Sequence, residues 1–164
     1  MYLPQAGDGW FWQSLVAPLT ATIPLTLPGA LPADALLRLN LWGSTQDPAS
    51  PDHHLRVFFD DAPLADETWD GAGAHTLQAT VPATLLRPVE HTIRLVAPGD
   101  TPALADVVLL RSLAVTYTRR LVAQDDLLDL TGSQGTYRLE GFSGDHIELF
   151  DLTDPLSPAQ LVGA

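Results

Sequence analysis

HHLRVFFDDAPLADETWDG, residues 53–71, decides how this chain is read. It packs two histidines, a glutamate, four aspartates and a tryptophan into one short stretch, which is the make-up of a metal or catalytic cluster. Its periodicity says something else. Leu55, Val57 and Phe59 alternate with Arg56 and Phe58, the period-2 pattern of a half-buried strand. Asp60, Asp61, Ala62 and Pro63 then supply turn chemistry, and LADETWDG reads as the returning strand and its exit. Successive side chains on a strand point to opposite faces, so His53 and His54 are not expected to hold one metal together. The stretch is expected to be a β-hairpin, with Asp60 and Asp61 at a loop tip bonding the local backbone.

The same period recurs outward from the hairpin. Leu37, Leu39 and Leu41 alternate with Arg38, Asn40 and Trp42; Leu77, Ala79 and Val81 with Thr76, Gln78 and Thr80; Leu113, Val115 and Tyr117 with Ser112, Ala114 and Thr116. YRLEGF and HIELFD repeat it near the end. Turn clusters such as LPGALPAD, STQDPASPD, DGAG, APGDTP, GSQG and SGD separate the runs, and the 14 prolines fall mostly at run edges. PATLLRP has room for one helical turn between Pro82 and Pro88. Short strands at this spacing predict an all-β chain: a β-sandwich of jelly-roll, galactose-binding-like type over residues 1–118. Residues 119–164 are expected to form a short β-meander of three runs, LLDLTG, YRLEGF and HIELFDLT, and the start of a linker toward a following domain.

Composition narrows the function classes. At 164 residues the chain can bury roughly 70% of its unfolded surface without staples. The net charge of −12 argues against nucleic acid and anionic membrane surfaces as partners. All eight basic residues are arginines. The absence of cysteine excludes disulfides, thiolate-bound zinc and a cysteine nucleophile. No run approaches the ~18 apolar residues of a membrane-spanning helix, so no membrane insertion is expected. MYLPQAGDGWFW lacks the features of a signal peptide, and both ends read as cut points within a longer polypeptide.

The chemical motifs are sparse. There is no GxSxG elbow, GFSGD coming nearest, and no glycine-rich phosphate loop. A pair of carboxylates is always at hand in an acidic chain and decides nothing. No enzymatic activity is therefore expected. Two ligand classes suit what remains. Trp10, Trp12, Trp42 and Trp69 are the candidates for stacking on sugars, since a flat indole face suits a pyranose ring. Calcium, which takes six to eight oxygens, is the metal that acidic loops would suit, with Asp60, Asp61 and Asp70 as candidate ligands; no other cofactor is expected.

The order of the segments resembles one known arrangement. The span DHHLRVFFDDAPLADETWDGAGAHTLQATVPATLLRPVEHTIRLVAPG followed by ADVVLLRSLAVTYTRRL is similar to the β-sandwich preceding the catalytic domain in gingipain-type cysteine peptidases and related type IX secretion sortases. The matching pieces are the Trp-Asp-Gly exit at 69–71, the "VP…LL" turn at 81–86, "D-V-V-x-L" at 106–110 and the Tyr-x-Arg strand end at 117–119. The tail GDHIELFDLTDPLSPAQL resembles the family's "D-x-T-[DN]-P-x-x-P" segment through Asp151, Thr153, Asp154, Pro155 and Pro158. GDGWFWQSL resembles its aromatic opening, so the likeness runs from about Asp8 to Leu161. The chain departs from the pattern at the hairpin turn, often Asn-Gly in such sandwiches. The family's catalytic residues lie in the domain after this region, so none carries over. What the resemblance implies is a non-catalytic accessory module of a secreted or cell-surface polypeptide, partnered by a following peptidase-like domain of the same chain. A glycan is the alternative partner.

Overall fold

A computed structural model describes residues 10–87, 90–132 and 135–161. The chain divides into two compact units, Met1–Arg119 and Arg120–Ala164. Among the described residues of the first, eight strands form two four-stranded antiparallel sheets: β1 (Gln13–Val16), β2 (Thr20–Thr26), β3 (Ala35–Gly43), β4 (His53–Phe59), β5 (Ala62–Trp69), β6 (Gly73–Val81), β7 (Glu90–Val96) and β8 (Val107–Thr116). One sheet has the order β1-β8-β3-β6 and the other β2-β7-β4-β5. That interleaving of sequential strands between two sheets is the order of an eight-stranded jelly roll, so the expected all-β sandwich stands.

The alternation read from the sequence sets the inward face. Leu37, Leu39 and Leu41 of β3, Leu55, Val57 and Phe59 of β4, and Leu77, Ala79 and Val81 of β6 are all buried, joined by Ile93 and Leu95 of β7. Each fully buried large side chain contributes about 1.5–3 kcal/mol by leaving water. Two bulges adjust the phase. In β8, Val108 and Leu110 face inward, and the register then shifts opposite Asn40 and Leu41, so that beyond Arg111 it is Leu113 and Val115 that pack on the core. In the β4–β5 hairpin the register shifts between Val57 and Phe58 and leaves Leu64 as the extra residue, packed against the core. A bulge adds one residue and thereby re-aims the side chains that follow.

The Pro82-led segment is a single 3-10 turn, Ala83–Leu85; Pro88, its expected downstream boundary, lies outside the described residues. The hairpin turn is shorter than the sequence suggested. Phe59 pairs with Ala62, so Asp60 and Asp61 alone make the turn, and Pro63 is already in β5. Among the described residues no helix is long and apolar enough to cross a membrane.

The second unit corrects an expectation. Of the three runs of the meander, LLDLTG forms no strand and YRLEGF contributes only a bridge from Glu140 to Val122. HIELFDLT yields β9 (Leu149–Asp151), whose partner is β10 (Ala159–Leu161), so the described residues hold one hairpin there. The GSQG turn falls partly on Ser133 and Gln134, outside the described residues. The physical reason is burial. Alternation specifies a strand where one face is covered, and Ala123 is the buried hydrophobic residue described in this unit.

At one end of the sandwich Gly43 pairs with Gly73 on β6 and Val108 on β8. A Cβ on Gly43 would lie 2.4 Å from His53 Nε2 and 2.8 Å from the Gly71 carbonyl oxygen, whereas one on Gly73 would meet nothing within 4 Å. Gly43→Ala is expected to lower the unfolding free energy by about 1–3 kcal/mol, the usual cost of overpacking. Gly73→Ala should stay within about 0.5 kcal/mol. Chemical denaturation of the two variants checks the contrast.

Candidate functional site: a histidine–carboxylate frame

β4 opens the site because its first residue faces inward. His53 shares the inner face with Leu55 and Val57, and its side chain has no solvent exposure. Its Nδ1 donates to Asp106 Oδ1 at 2.8 Å, and its Nε2 lies 3.2 Å from the Thr45 carbonyl oxygen. Asp106 precedes β8 and accepts a second bond on Oδ2, from the His54 backbone N–H at 3.1 Å. The carboxylate therefore ties the start of β4 to the start of β8 through both oxygens. Burial, the largest single influence, pushes the His53 pKa down; the Asp106 bond and charge, with Asp52 nearby, outweigh it, and the net shift is upward. With an acceptor at each ring nitrogen, the doubly protonated imidazolium satisfies both.

Trp69 completes this end. It pairs with His53 in the hairpin register and stacks on it at 4.9 Å between ring centroids. His75 of β6, from the opposite sheet, also stacks on it, at 4.3 Å and an interplanar angle of 1°. His75 Nε2 is bonded to Glu67 Oε1 of β5 at 3.0 Å. The indole thus closes the rim between the sheets, held by ring stacking. Its Nε1 is buried without a hydrogen-bond partner.

His54 points the other way, onto the outer face of the second sheet. Its Nδ1 meets Asp100 Oδ1 and its Nε2 meets Asp66 Oδ1, each at 2.5 Å. Arg56, two residues on, reaches the remaining oxygens of the same two carboxylates: Nε to Asp66 Oδ2 and Nη2 to Asp100 Oδ2, both at 3.2 Å. An imidazole, a guanidinium and two carboxylates close a ring that joins β4, β5 and the loop after β7. Desolvation works against the charged imidazole, but the bonds to Asp66 and Asp100 raise its pKa on balance. The His54 bond in turn holds Asp66 and Asp100 below the ordinary carboxylate value.

Further aspartates shape the loop between β3 and β4. Asp52 accepts the backbone N–H groups of Gly71 at 2.8 Å and Asp47 at 3.0 Å. Burial alone would raise its pKa; those N–H groups bring it below the usual value. Asp70 accepts from the Asp52 N–H at 3.1 Å and the Ser50 hydroxyl at 2.5 Å. Asp47 accepts from Ala49 and Leu104. At the far end, Asp60 sits at a φ of 51°, the left-handed region. Its Oδ2 accepts from His91 Nδ1 at 3.0 Å and its Oδ1 from the Thr92 N–H at 2.9 Å. Here too burial pushes upward and the His91 bond and Thr92 N–H prevail, lowering the Asp60 pKa. His91 is itself fully buried beside Phe59, at 4.6 Å between centroids, with Nε2 2.9 Å from the Arg87 carbonyl oxygen.

The candidate residues are not brought together. Two imidazoles stack on Trp69, which occupies ring surface that a sugar would need. Trp10 and Trp12 are exposed, at 81% and 67%, near the start of edge strand β1. Trp42 is half-buried on the outer face of β3, in the row of Arg38 and Asn40. Asp60 and Asp70 lie at opposite ends of β5, a separation of roughly 25 Å at ~3.4 Å per residue, so they cannot share one calcium ion. Asp60 is expected from the sequence to bond its local backbone; instead it reaches across to β7, because the left-handed turn aims its carboxylate at His91. Asp61 is exposed in the turn. Among the described residues no group of three or more histidines and acids is arranged to hold a metal. Of the site's other members, Asp52 and Asp106 fall within the stretches that carry the sequence resemblance, but nothing local names their partners, and His75, His91 and Asp100 carry no motif; all gain their partners through the fold.

The fold and frame together define a jelly-roll β-sandwich whose histidines are pinned by carboxylates. Its architecture resembles part of the crystal structure of dimeric latent PorU from Porphyromonas gingivalis, with a TM-score of 0.55 at 11% identity over 71% of this chain. The match spans 11% of that PorU chain, and at this identity the likeness concerns the fold alone. A structure of CBM4 aligns with a TM-score of 0.38 and 17% identity over 64% of this chain and 82% of that one. No protein-family model matches the chain, and no curated protein does.

Removing the keystone carboxylate is expected to cost most. Asp106→Ala leaves a buried imidazolium and the His54 N–H without their acceptor, a loss of about 3–5 kcal/mol. Asp70→Ala, at an exposed site, should cost no more than about 1.5 kcal/mol. Urea titration of both variants measures the difference.

The pH profile carries its own sign. His53 and His54 have folded pKa values above 6.5, so their stabilisation is fully present below pH 6.5 and is lost as pH rises through those values. Asp52, Asp60, Asp66 and Asp100 have folded values below 3.8, so theirs is present above 3.8 and lost as pH falls through them. The denaturation midpoint should therefore peak between about pH 3.8 and 6.5 and decline on the alkaline side. A midpoint still rising from pH 6.5 to 9 contradicts the assignment.

Proposed function

We propose that this chain is a non-catalytic structural module of a larger secreted or cell-surface polypeptide, positioning or helping to fold a peptidase-like domain. One observation carries the reading. Both ring nitrogens of His53, His54 and His91 have partners within the fold itself, so three of the chain's five histidines are committed to holding the sandwich. A general base needs a free nitrogen within reach of a substrate proton. The fold likeness to a segment of the much longer PorU chain supports the same reading. The test is the unfolding temperature of the adjoining domain with and without residues 1–164. A rise of at least about 3 °C, the effect of ~1 kcal/mol on a domain of 150–250 residues, is expected. An unchanged temperature, with no contact in a joint structure, contradicts the proposal.

A second reading, a carbohydrate-binding module, rests on the outer face of the β1-β8-β3-β6 sheet. Arg38, Asn40 and Trp42 line up along β3, and Asn40 donates to Ser112 of β8 at 2.7 Å while accepting from Thr76 of β6. An indole beside amide, hydroxyl and guanidinium groups on one flat face is chemistry that suits a sugar. A glycan array and calorimetry, run with and without calcium, test it. Binding that Trp42→Ala weakens at least tenfold, and Trp69→Ala does not, supports this reading. Silence on the array ends it.

A further inference from the structure

The segment after the sandwich displays apolar side chains that it does not bury. In Arg120–Ala164, Leu127, Ile147, Phe150, Leu152, Leu156 and Leu161 are exposed, Leu156 at 96%. Ordering a backbone costs about 1–2 kcal/mol per residue, and an isolated two-stranded hairpin is marginal in water. No disulfide offsets that cost, because the chain has no cysteine. Yet the hairpin is closely specified. Leu149 and Leu161 face each other across β9 and β10, forming an apolar rung. Asp151 Oδ1 accepts from the Thr153 N–H and hydroxyl, and Asp154 Oδ1 accepts from the Leu156 N–H. These bonds give the connecting loop a defined shape with Leu152 and Leu156 turned to solvent.

Charge selects what can cover this surface. Residues 120–164 carry eight aspartates and glutamates against two arginines, within a chain of net charge −12. A second copy would bring the same sign of charge and be repelled, as would nucleic acid or an anionic lipid surface. We propose that β9, β10 and the loop at 152–158 form a docking surface for a neighbouring folded domain of the same polypeptide, which presents an apolar patch rimmed by arginine or lysine. The proposal rests on the module reading and names the part of the module that makes contact.

Hydrogen exchange decides it, measured on residues 1–164 alone and on the natural polypeptide that contains them. Amides between 147 and 161 are expected to exchange at least tenfold more slowly in the longer polypeptide, with that gain reduced in 0.5 M salt as the charge attraction is screened. Leu156→Asp with Leu161→Asp should abolish the gain, while amides of β3 and β4 keep their protection. Both positions are exposed, so the sandwich has no reason to unfold. Equal exchange in the two polypeptides overturns the proposal, whether both are slow, the surface being already covered, or both are fast, nothing docking there. If the neighbouring domain is stabilised by residues 1–164 but 147–161 gains no protection, the docking surface is wrong and the module reading survives. If the domain is indifferent to residues 1–164, the module reading itself fails.

Discussion

The bond between His53 and Asp106 is the constraint on which this end of the sandwich depends. It joins the first residue of β4 to the residue before β8, two strands that belong to different sheets. A jelly roll is held mainly by apolar burial between its layers, which is non-directional and does not by itself fix where strands begin. A buried charged pair does fix it, because either partner alone is costly. Around the pair, Gly43 clears space for the imidazole, Trp69 stacks on it and His75 clamps the indole from the other sheet. The acidic composition then has a structural use. Asp47, Asp52 and Asp106 each accept backbone N–H groups in the loops or at the start of β4 that would otherwise be left unpaired.

The second constraint works on the outer face by the same chemistry in a wetter place. His54, Arg56, Asp66 and Asp100 balance their charges within one ring, so a chain with few cations uses two of them where they meet four carboxylate oxygens. Exposed ion pairs usually contribute little. Here the largely buried imidazole, whose side chain is 10% exposed, anchors the ring to the strand. Asp60 and His91 repeat the histidine–carboxylate pairing at the hairpin end. One pairing recurs at both ends of β4 and on both its faces.

The sandwich was largely legible in the sequence. Period-2 alternation found the inward residues of β3, β4 and β6, because burying one face is what makes that period visible. It also sent His53 and His54 to opposite faces. What it could not supply was their partners. Asp106 and Asp100 lie 53 and 46 residues from the histidines they bond, and no local pattern encodes that distance. Trp69 looked like a sugar platform because sequence shows an indole but not what covers it. Asp60 looked like a turn residue bonding its neighbours, and only the left-handed backbone turns its carboxylate toward β7. The meander failed for a related reason, since in the second unit alternation has little buried surface to reinforce it.

The motifs singled out in the sequence have physical roles in this chain. Trp69 seals the rim, Asp70 and Gly71 hold the β3–β4 loop, Asp106 anchors β8 and the Tyr117 hydroxyl donates to the Pro28 carbonyl. Each of these contacts holds one part of the fold to another. The central claim is that His53 and His54 are imidazolium ions held by the fold. Nitrogen-15 NMR of the imidazole rings against pH tests it most directly. Both rings should show two protonated nitrogens at pH 6.5, with midpoints above that value. Two neutral rings at pH 6.5, each with one bare nitrogen, would contradict the account.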